Sequence, residues 1–137
     1  MNGIEWIVDA HGCAPETLRS LSALQGMFQQ IITDLNLRPV GDNTWHQFPN
    51  TGGITGLCLL AESHLTCHTF PEFGTLALNL FCCIPREEWD FESFLRASFA
   101  ASSVTVRRFT RSYVSEQIAT PNFTVPSRIA GVEKQSE

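Results

Sequence analysis

The apolar positions along this chain follow two periods, one typical of helices and one typical of strands. From position 18 to position 35 they recur mainly at steps of three and four, which predicts one long amphipathic helix that begins near Pro15 and ends near Asn36. The same spacing predicts a second helix from Phe91 to Phe99. Each helix therefore has one apolar face that must be buried against another element.

Six other segments are alternating or short apolar runs of strand length, at 3–10, 40–48, 56–61, 64–70, 75–83 and 103–109. In the fifth segment Leu76, Leu78 and Leu80 share one face, and Asn79 and Cys83 lie on the other. The resulting order is β-α-β-β-β-β-α-β. It predicts an α+β fold, an antiparallel sheet with two helices packed on one face as an α/β sandwich.

The length of the chain limits the number of domains. At 137 residues and 43% hydrophobic content, it can bury one core but not two ordinary ones. We expect one domain over residues 1–116. The polar, proline-bearing residues 117–137 are expected to form a loosely held C-terminal tail.

Charge and cysteine content narrow the function classes. The formal charge is −5 and no basic run is present, so we do not expect nucleic acid as a partner. The first ten residues do not resemble a secretory signal, and no segment approaches the ~20 apolar residues of a membrane helix. Five cysteines, an odd number, indicate free thiols in a reducing compartment. We therefore expect a cytosolic protein away from the membrane.

The densest polar cluster, residues 62–72, follows directly after an apolar strand. Its histidines His64 and His68 could bind zinc together with Cys82 or Cys83, but on a strand four residues span ~13 Å, too far for one ion. We expect no metal. His68 and Cys83 could equally be the base and nucleophile of a hydrolase, although the sequence carries no local signature for that reaction.

The segment Ala61-Glu62-Ser63-His64-Leu65-Thr66-Cys67-His68-Thr69-Phe70-Pro71-Glu72 closely resembles the processing-site motif of bacterial and archaeal S-adenosylmethionine decarboxylases. The resemblance continues upstream in Gly53-Ile54-Thr55-Gly56 and downstream in Phe81-Cys82-Cys83. The spacing is compatible from Gly3 to about Arg111. The resemblance implies a chain that cleaves itself between Glu62 and Ser63.

The resemblance also implies how the chain is cleaved. The Ser63 hydroxyl would attack the Glu62 carbonyl to form an ester, and β-elimination would leave a pyruvoyl group derived from Ser63. His68 would remove the α-proton of Ser63, and the Thr55 hydroxyl would stabilise the developing charge. The pyruvoyl cofactor would form a Schiff base with the substrate amine and act as the electron sink.

For the substrate, the resemblance implies S-adenosylmethionine, whose decarboxylated form is the aminopropyl donor for spermidine. Cys83 would be the proton donor to carbon, Glu72 would bind the ribose hydroxyls, and Phe48 would stack on adenine. Phe48 could instead be a core residue and Cys83 a small buried hydrophobe. The resemblance to prokaryotic members also implies a homodimer of cleaved protomers, in which the two sheets pair and the substrate sites are shared across the interface.

Several positions depart from the family pattern. Thr55 stands where Ser is usual, Phe70 where Trp is usual and Asn79 where Asp is usual, and Cys82 and Ile84 replace Thr and Gly. The change at Asn79 alters the electrostatic field near a site that must accept a substrate with a cationic sulfonium group.

Two alternatives therefore stay open. One is a pyruvoyl-dependent decarboxylase of ornithine or arginine. The other is a non-enzymatic paralogue that regulates an active homologue, although the presence of Ser63, His68 and Cys83 argues against it.

Overall fold

A computed structural model describes residues 2–114 of the chain. The predicted domain boundary at 116 and the tail at 117–137 lie outside this range. Within it, the elements are β1 Asn2–His11, α1 Pro15–Leu18, α2 Leu21–Asp34, β2 Thr44–Gln47, β3 Ile54–Leu60, β4 Ser63–Phe70, a 3₁₀ turn Pro71–Phe73, β5 Thr75–Cys82, α3 Phe91–Phe99 and β6 Ser103–Ser112.

All six strands of the described part form one sheet in the order β2-β3-β4-β5-β1-β6. Every neighbouring pair is antiparallel, so the predicted α+β fold is confirmed. The first strand inserts between β5 and β6, which makes β4 and β5 the two central strands and leaves β2 and β6 at the edges. The consecutive hairpins of β3, β4 and β5 carry most of the predicted site residues, on the strands or in the segments that join them.

The two faces of the sheet have different roles. Alternate residues of the inner strands, such as Trp6, Val8 and Leu80, are buried in one core with apolar residues from all three helices. The opposite face, called here the open face, carries the other set of alternating side chains. On it Leu57 and Leu59 are 46% and 60% exposed. The period-2 pattern therefore separates a helix-covered face from one that no described helix covers.

The prediction of one long helix from near Pro15 was wrong, because the chain forms two helices with a break at Arg19 and Ser20. Ser20 is extended, and its side chain accepts a hydrogen bond from the Ala23 N–H at 3.2 Å, which caps the start of α2. The Leu18 carbonyl at the end of α1 accepts a hydrogen bond from the Thr69 hydroxyl at 2.7 Å. The apolar spacing continues across this break, so periodicity alone could not reveal it.

The strand predicted at 40–48 is shorter in the structure, where β2 covers only Thr44–Gln47. Gly41 has φ +72°, in the left-handed region, which interrupts extended pairing. Before this turn Val40 donates its N–H to the Leu59 carbonyl at 2.8 Å. The segment therefore touches β3 twice, once before Gly41 and once as β2.

Candidate active site

The expected cleavage point, the bond between Glu62 and Ser63, lies at a tight turn. Leu60 pairs with Ser63, so Ala61 and Glu62 form the two-residue loop of the β3-β4 hairpin. The Glu62 carbonyl accepts a hydrogen bond from the Cys83 N–H at 3.0 Å. The fold therefore brings Glu62, Ser63 and Cys83 together at one end of the sheet.

The two neighbouring cysteines at this end of the sheet have thiols that do not ionise readily. Burial raises the pKa of the Cys83 thiol, and the nearby Glu62 charge raises it further. Burial also raises the pKa of Cys82, against the opposing effects of a hydrogen bond with Ser63 and the charge of Arg86. Both thiols are therefore protonated at neutral pH. Cys83 is half-buried, so it is not the fully buried small hydrophobe of the alternative interpretation.

A second pair of predicted residues lies on the open face. Thr55 on β3 and His68 on β4 are register partners, and the Oγ1 of Thr55 is 3.1 Å from the Nδ1 of His68. Ser63 begins the same strand five residues earlier, a separation of ~16 Å, and the odd spacing turns the two side chains to opposite faces. Within the chain, therefore, the fold does not bring His68 to Ser63.

Phe48 and Glu72 meet in a third place, beyond the other end of β4. They share a cleft of about 320 Å³ whose lining residues are Phe48, Pro49, Asn50, Thr51, Thr69, Phe70 and Glu72. Phe48 is 47% exposed, which shows that it is not a core residue. His46 packs edge-on against its ring, with the ring centroids 4.8 Å apart.

His64 belongs to a polar network that the sequence did not reveal. Its Nε2 lies 2.8 Å from the Asn79 Oδ1, and the Asn79 Nδ2 donates to the Glu5 Oε2 at 2.9 Å. Arg111 donates to the other carboxylate oxygen of Glu5. Partial burial raises the pKa of Glu5, but the hydrogen bonds from Asn79 and Arg111 outweigh it and leave that pKa below its usual range.

Two arginines beside Glu62 were also missed by the sequence analysis. The Nη2 of Arg38 lies 3.0 Å from the Glu62 Oε1, and the Nη2 of Arg86 lies 3.7 Å from the same atom. Neither arginine belongs to a recognisable motif. Only the folded chain places both beside Glu62, since one is 24 residues upstream and the other 24 downstream.

Two other kinds of site are absent from residues 2–114. That range holds no group of three or more His, Cys, Asp or Glu side chains arranged to bind a metal ion. None of its helices is long and apolar enough to cross a membrane.

Comparison with known proteins gives a consistent family. The family model described as S-adenosylmethionine decarboxylase matches residues 4–112. An S-adenosylmethionine decarboxylase proenzyme of Thermodesulfovibrio yellowstonii is 35% identical over 81 residues, which cover 59% of this chain and 58% of that protein. A proenzyme with the same description from Caldanaerobacter subterraneus subsp. tengcongensis is 28% identical over 120 residues, 85% of this chain and 94% of that protein.

A solved structure agrees in fold. The crystal structure of the adenosylmethionine decarboxylase from Aquifex aeolicus matches with a TM-score of 0.70 at 21% identity, covering 83% of this chain and 93% of that one. The resemblance noted in the motif around Ser63 is thus confirmed over most of the described chain. The match over residues 4–112 places this chain in the S-adenosylmethionine decarboxylase family.

Proposed function

We propose that this chain is a self-processing, pyruvoyl-dependent decarboxylase whose substrate is S-adenosylmethionine and whose product serves spermidine synthesis as an aminopropyl donor. The observation that carries the proposal is the hydrogen bond from the Cys83 N–H to the Glu62 carbonyl, at 3.0 Å, on the turn where cleavage is expected. Family membership supports the same activity. The proenzyme descriptions of the relatives support processing.

The first step of processing is attack by the Ser63 hydroxyl on the Glu62 carbonyl, and it develops negative charge on the carbonyl oxygen. The Cys83 N–H already points at that oxygen and can stabilise the charge as it grows. The resemblance assigns this task to Thr55. Within one protomer Thr55 is instead bonded to His68 on another part of the sheet.

A homodimer is the arrangement that can unite these parts. Since His68 lies ~16 Å along β4 from Ser63 and on the other face, His68 can act as the base for Ser63 only from a second chain. The open face exposes apolar side chains suited to such a contact, including Leu57, Leu59 and Phe109. In this arrangement His68 of one protomer, which is held by its contact with Thr55, removes the α-proton of the partner's Ser63.

The cleft between Phe48 and Glu72 supports a nucleoside substrate over ornithine or arginine. The exposed Phe48 ring offers a stacking surface for adenine, and the Glu72 carboxylate can accept hydrogen bonds from two ribose hydroxyls. A small amino acid would leave this cleft unfilled. The neutral Asn79 is bonded to the ionised Glu5, but Arg111 pairs with the same carboxylate, so this network offers a sulfonium no unpaired negative charge.

The residues at the hairpin fit a pyruvoyl group derived from Ser63. Such a group supplies an electron sink for the electrons released when carbon dioxide departs. The chain's own contribution after that is a proton. Because burial and Glu62 raise the pKa of Cys83, its thiol keeps the proton that must be delivered to carbon.

Intact mass measured under denaturing conditions tests this proposal, with Ser63→Ala as the matched control. Wild-type protein should give two fragments, 1–62 and a blocked 63–137, and the control should give one chain. The cleaved protein should release carbon dioxide from S-adenosylmethionine and not from ornithine or arginine. A single uncleaved chain in both samples would overturn self-processing and favour the regulatory paralogue.

A further inference from the structure

The Glu62 side chain lies between two guanidinium groups that the proposed reaction does not use. Its Oε1 is 3.0 Å from the Nη2 of Arg38 and 3.7 Å from the Nη2 of Arg86. The two arginines differ in surroundings, since the Arg38 side chain is 69% exposed and that of Arg86 only 24%. Arg38 therefore resembles an ordinary surface partner, and Arg86 does not.

Arg86 also has an unused donor. Its Nε is buried and has no hydrogen-bond acceptor among residues 2–114. Leaving a charged, buried N–H without an acceptor is unfavourable, and such groups in folded proteins usually have a partner. The unmatched Nε points to an acceptor that is present in another state of the protein.

Cleavage at the hairpin creates a new charged acceptor on Glu62, the residue whose side chain Arg86 already contacts. In the ester, the acyl carbon of Glu62 is bonded to the Ser63 Oγ. When a base removes the α-proton of Ser63, the Cβ–Oγ bond breaks and its electron pair stays on that oxygen. Glu62 then ends in an α-carboxylate. The dehydroalanine left at position 63 tautomerises to an imine, and water converts the imine to the pyruvoyl group and ammonia.

We propose that Arg86 is the binding site for this new carboxyl terminus and holds the two fragments together after cleavage. The proposal rests on the proposed self-cleavage. Arg38 belongs to the same fragment as Glu62, 1–62, whereas Arg86 belongs to the fragment that begins at position 63. Of the two arginine contacts with Glu62, only that of Arg86 therefore crosses the break in the chain.

Charge explains why the contact strengthens on cleavage. Before cleavage Glu62 has only its side-chain carboxylate, which lies close to two guanidinium groups. After cleavage it also has an α-carboxylate. A guanidinium binds carboxylates through several N–H donors at once, so an arginine at position 86 suits this task better than a lysine would. The Cys83 N–H already donates a hydrogen bond to the Glu62 carbonyl. After cleavage that oxygen belongs to a carboxylate, so the bond becomes charge-assisted and joins the two fragments.

The test compares urea-induced unfolding rates of cleaved and uncleaved protein, each with and without Arg86→Met. The uncleaved forms carry Ser63→Ala. Arg86→Met should accelerate unfolding of the cleaved protein about tenfold more than that of the uncleaved protein, as expected for loss of a charged hydrogen bond. Arg86→Lys should recover part of the difference.

Arg107→Met is the matched control, because Arg107 also joins the two fragments through Asp9, at 3.0 Å, but far from the new terminus. It should affect the cleaved and uncleaved forms equally. Equal acceleration of both forms by Arg86→Met would overturn the proposal. Failure of Arg86→Met to cleave at all would also overturn it, since Arg86 would then act before the carboxylate exists. Failure of wild-type protein to cleave would instead refute the proposed function.

Discussion

The Oγ1 of Thr55 lies 3.1 Å from the Nδ1 of His68, across the two adjacent strands β3 and β4. A neutral histidine that acts as a base through Nε2 must carry its proton on Nδ1, and that N–H then donates to the Thr55 hydroxyl. The contact orients the ring, and the hydroxyl can accept from the Nδ1–H of this tautomer. Replacement of the usual serine by Thr55 keeps the hydroxyl that this contact needs.

Removing that hydroxyl should slow self-cleavage. Thr55→Val keeps the shape of the side chain but cannot accept from Nδ1, so we expect processing about 10²-fold slower, within the range for a lost acid–base contribution. Thr55→Ser should process at close to the wild-type rate. The measurement is the uncleaved fraction by intact mass over time, and equal rates for Val and Ser would contradict the role.

Two inactive variants should restore cleavage when mixed. Ser63→Ala has no nucleophile and His68→Ala has no base, but a mixed dimer would place an intact His68 opposite an intact Ser63. Co-expression with tags of different mass should therefore yield cleaved His68→Ala chains and uncleaved Ser63→Ala chains. Intact mass distinguishes the two.

The matched control for the mixing experiment replaces the Ser63→Ala chain with a triple variant that carries Ser63→Ala, Thr55→Val and His68→Ala. This triple variant is co-expressed with the His68→Ala chain. That mixture contains no base and should stay uncleaved. Cleavage of purified His68→Ala protein by itself would show that His68 is dispensable. Absence of cleavage in the first mixture would contradict a site shared between protomers.

Substitutions in the cleft should affect substrate binding and leave self-cleavage unchanged. Phe48→Ala and Glu72→Gln should each raise the KM for S-adenosylmethionine about tenfold or more, as expected for a lost stacking or charged hydrogen-bond contact. Phe73→Ala is the control, because this ring is 76% exposed and does not line the cleft. An unchanged KM in both cleft variants would remove the cleft from the substrate site.

The raised pKa of Cys83 predicts a pH dependence of turnover. A donor thiol is active in its protonated form, so kcat should hold at neutral pH and fall as pH rises through a value above the ordinary 9.0. Cys83→Ser should remove this alkaline decrease and lower kcat by about 10²-fold or more. The decrease should persist in Cys13→Ala, whose thiol lies outside the site, and its loss there would contradict the assignment.

Close packing at Gly56 gives a test of the fold. A Cβ at this position would lie 2.2 Å from the Cζ3 of Trp45, so Gly56→Ala should lower the free energy of unfolding by about 2 kcal/mol through overpacking. Gly26 lies within α2 with nothing within 4 Å of its Cβ position, and Gly26→Ala should raise that free energy by about 0.5–1 kcal/mol. Urea denaturation of the Ser63→Ala form measures both. Equal effects would refute the described packing.

The sequence by itself predicted most of the fold and the family. Local periodicity was sufficient for β1, β4, β5 and α3, because a buried face repeats every two residues in a strand and every three to four in a helix. The processing motif is contiguous, so Glu62, Ser63 and His68 could be recognised together. Periodicity failed where one polar contact overrides it, as at Ser20, which caps α2 within an unbroken apolar pattern.

Only the tertiary structure decided which residues meet. Strand pairing brings the Cys83 N–H to the Glu62 carbonyl and separates His68 from Ser63, although His68 is much closer to Ser63 in sequence. Arg38 and Arg86 converge on Glu62 from opposite directions along the chain. These relationships depend on register and on contacts between residues distant in sequence, and a one-dimensional pattern of apolar and polar positions carries no information about either.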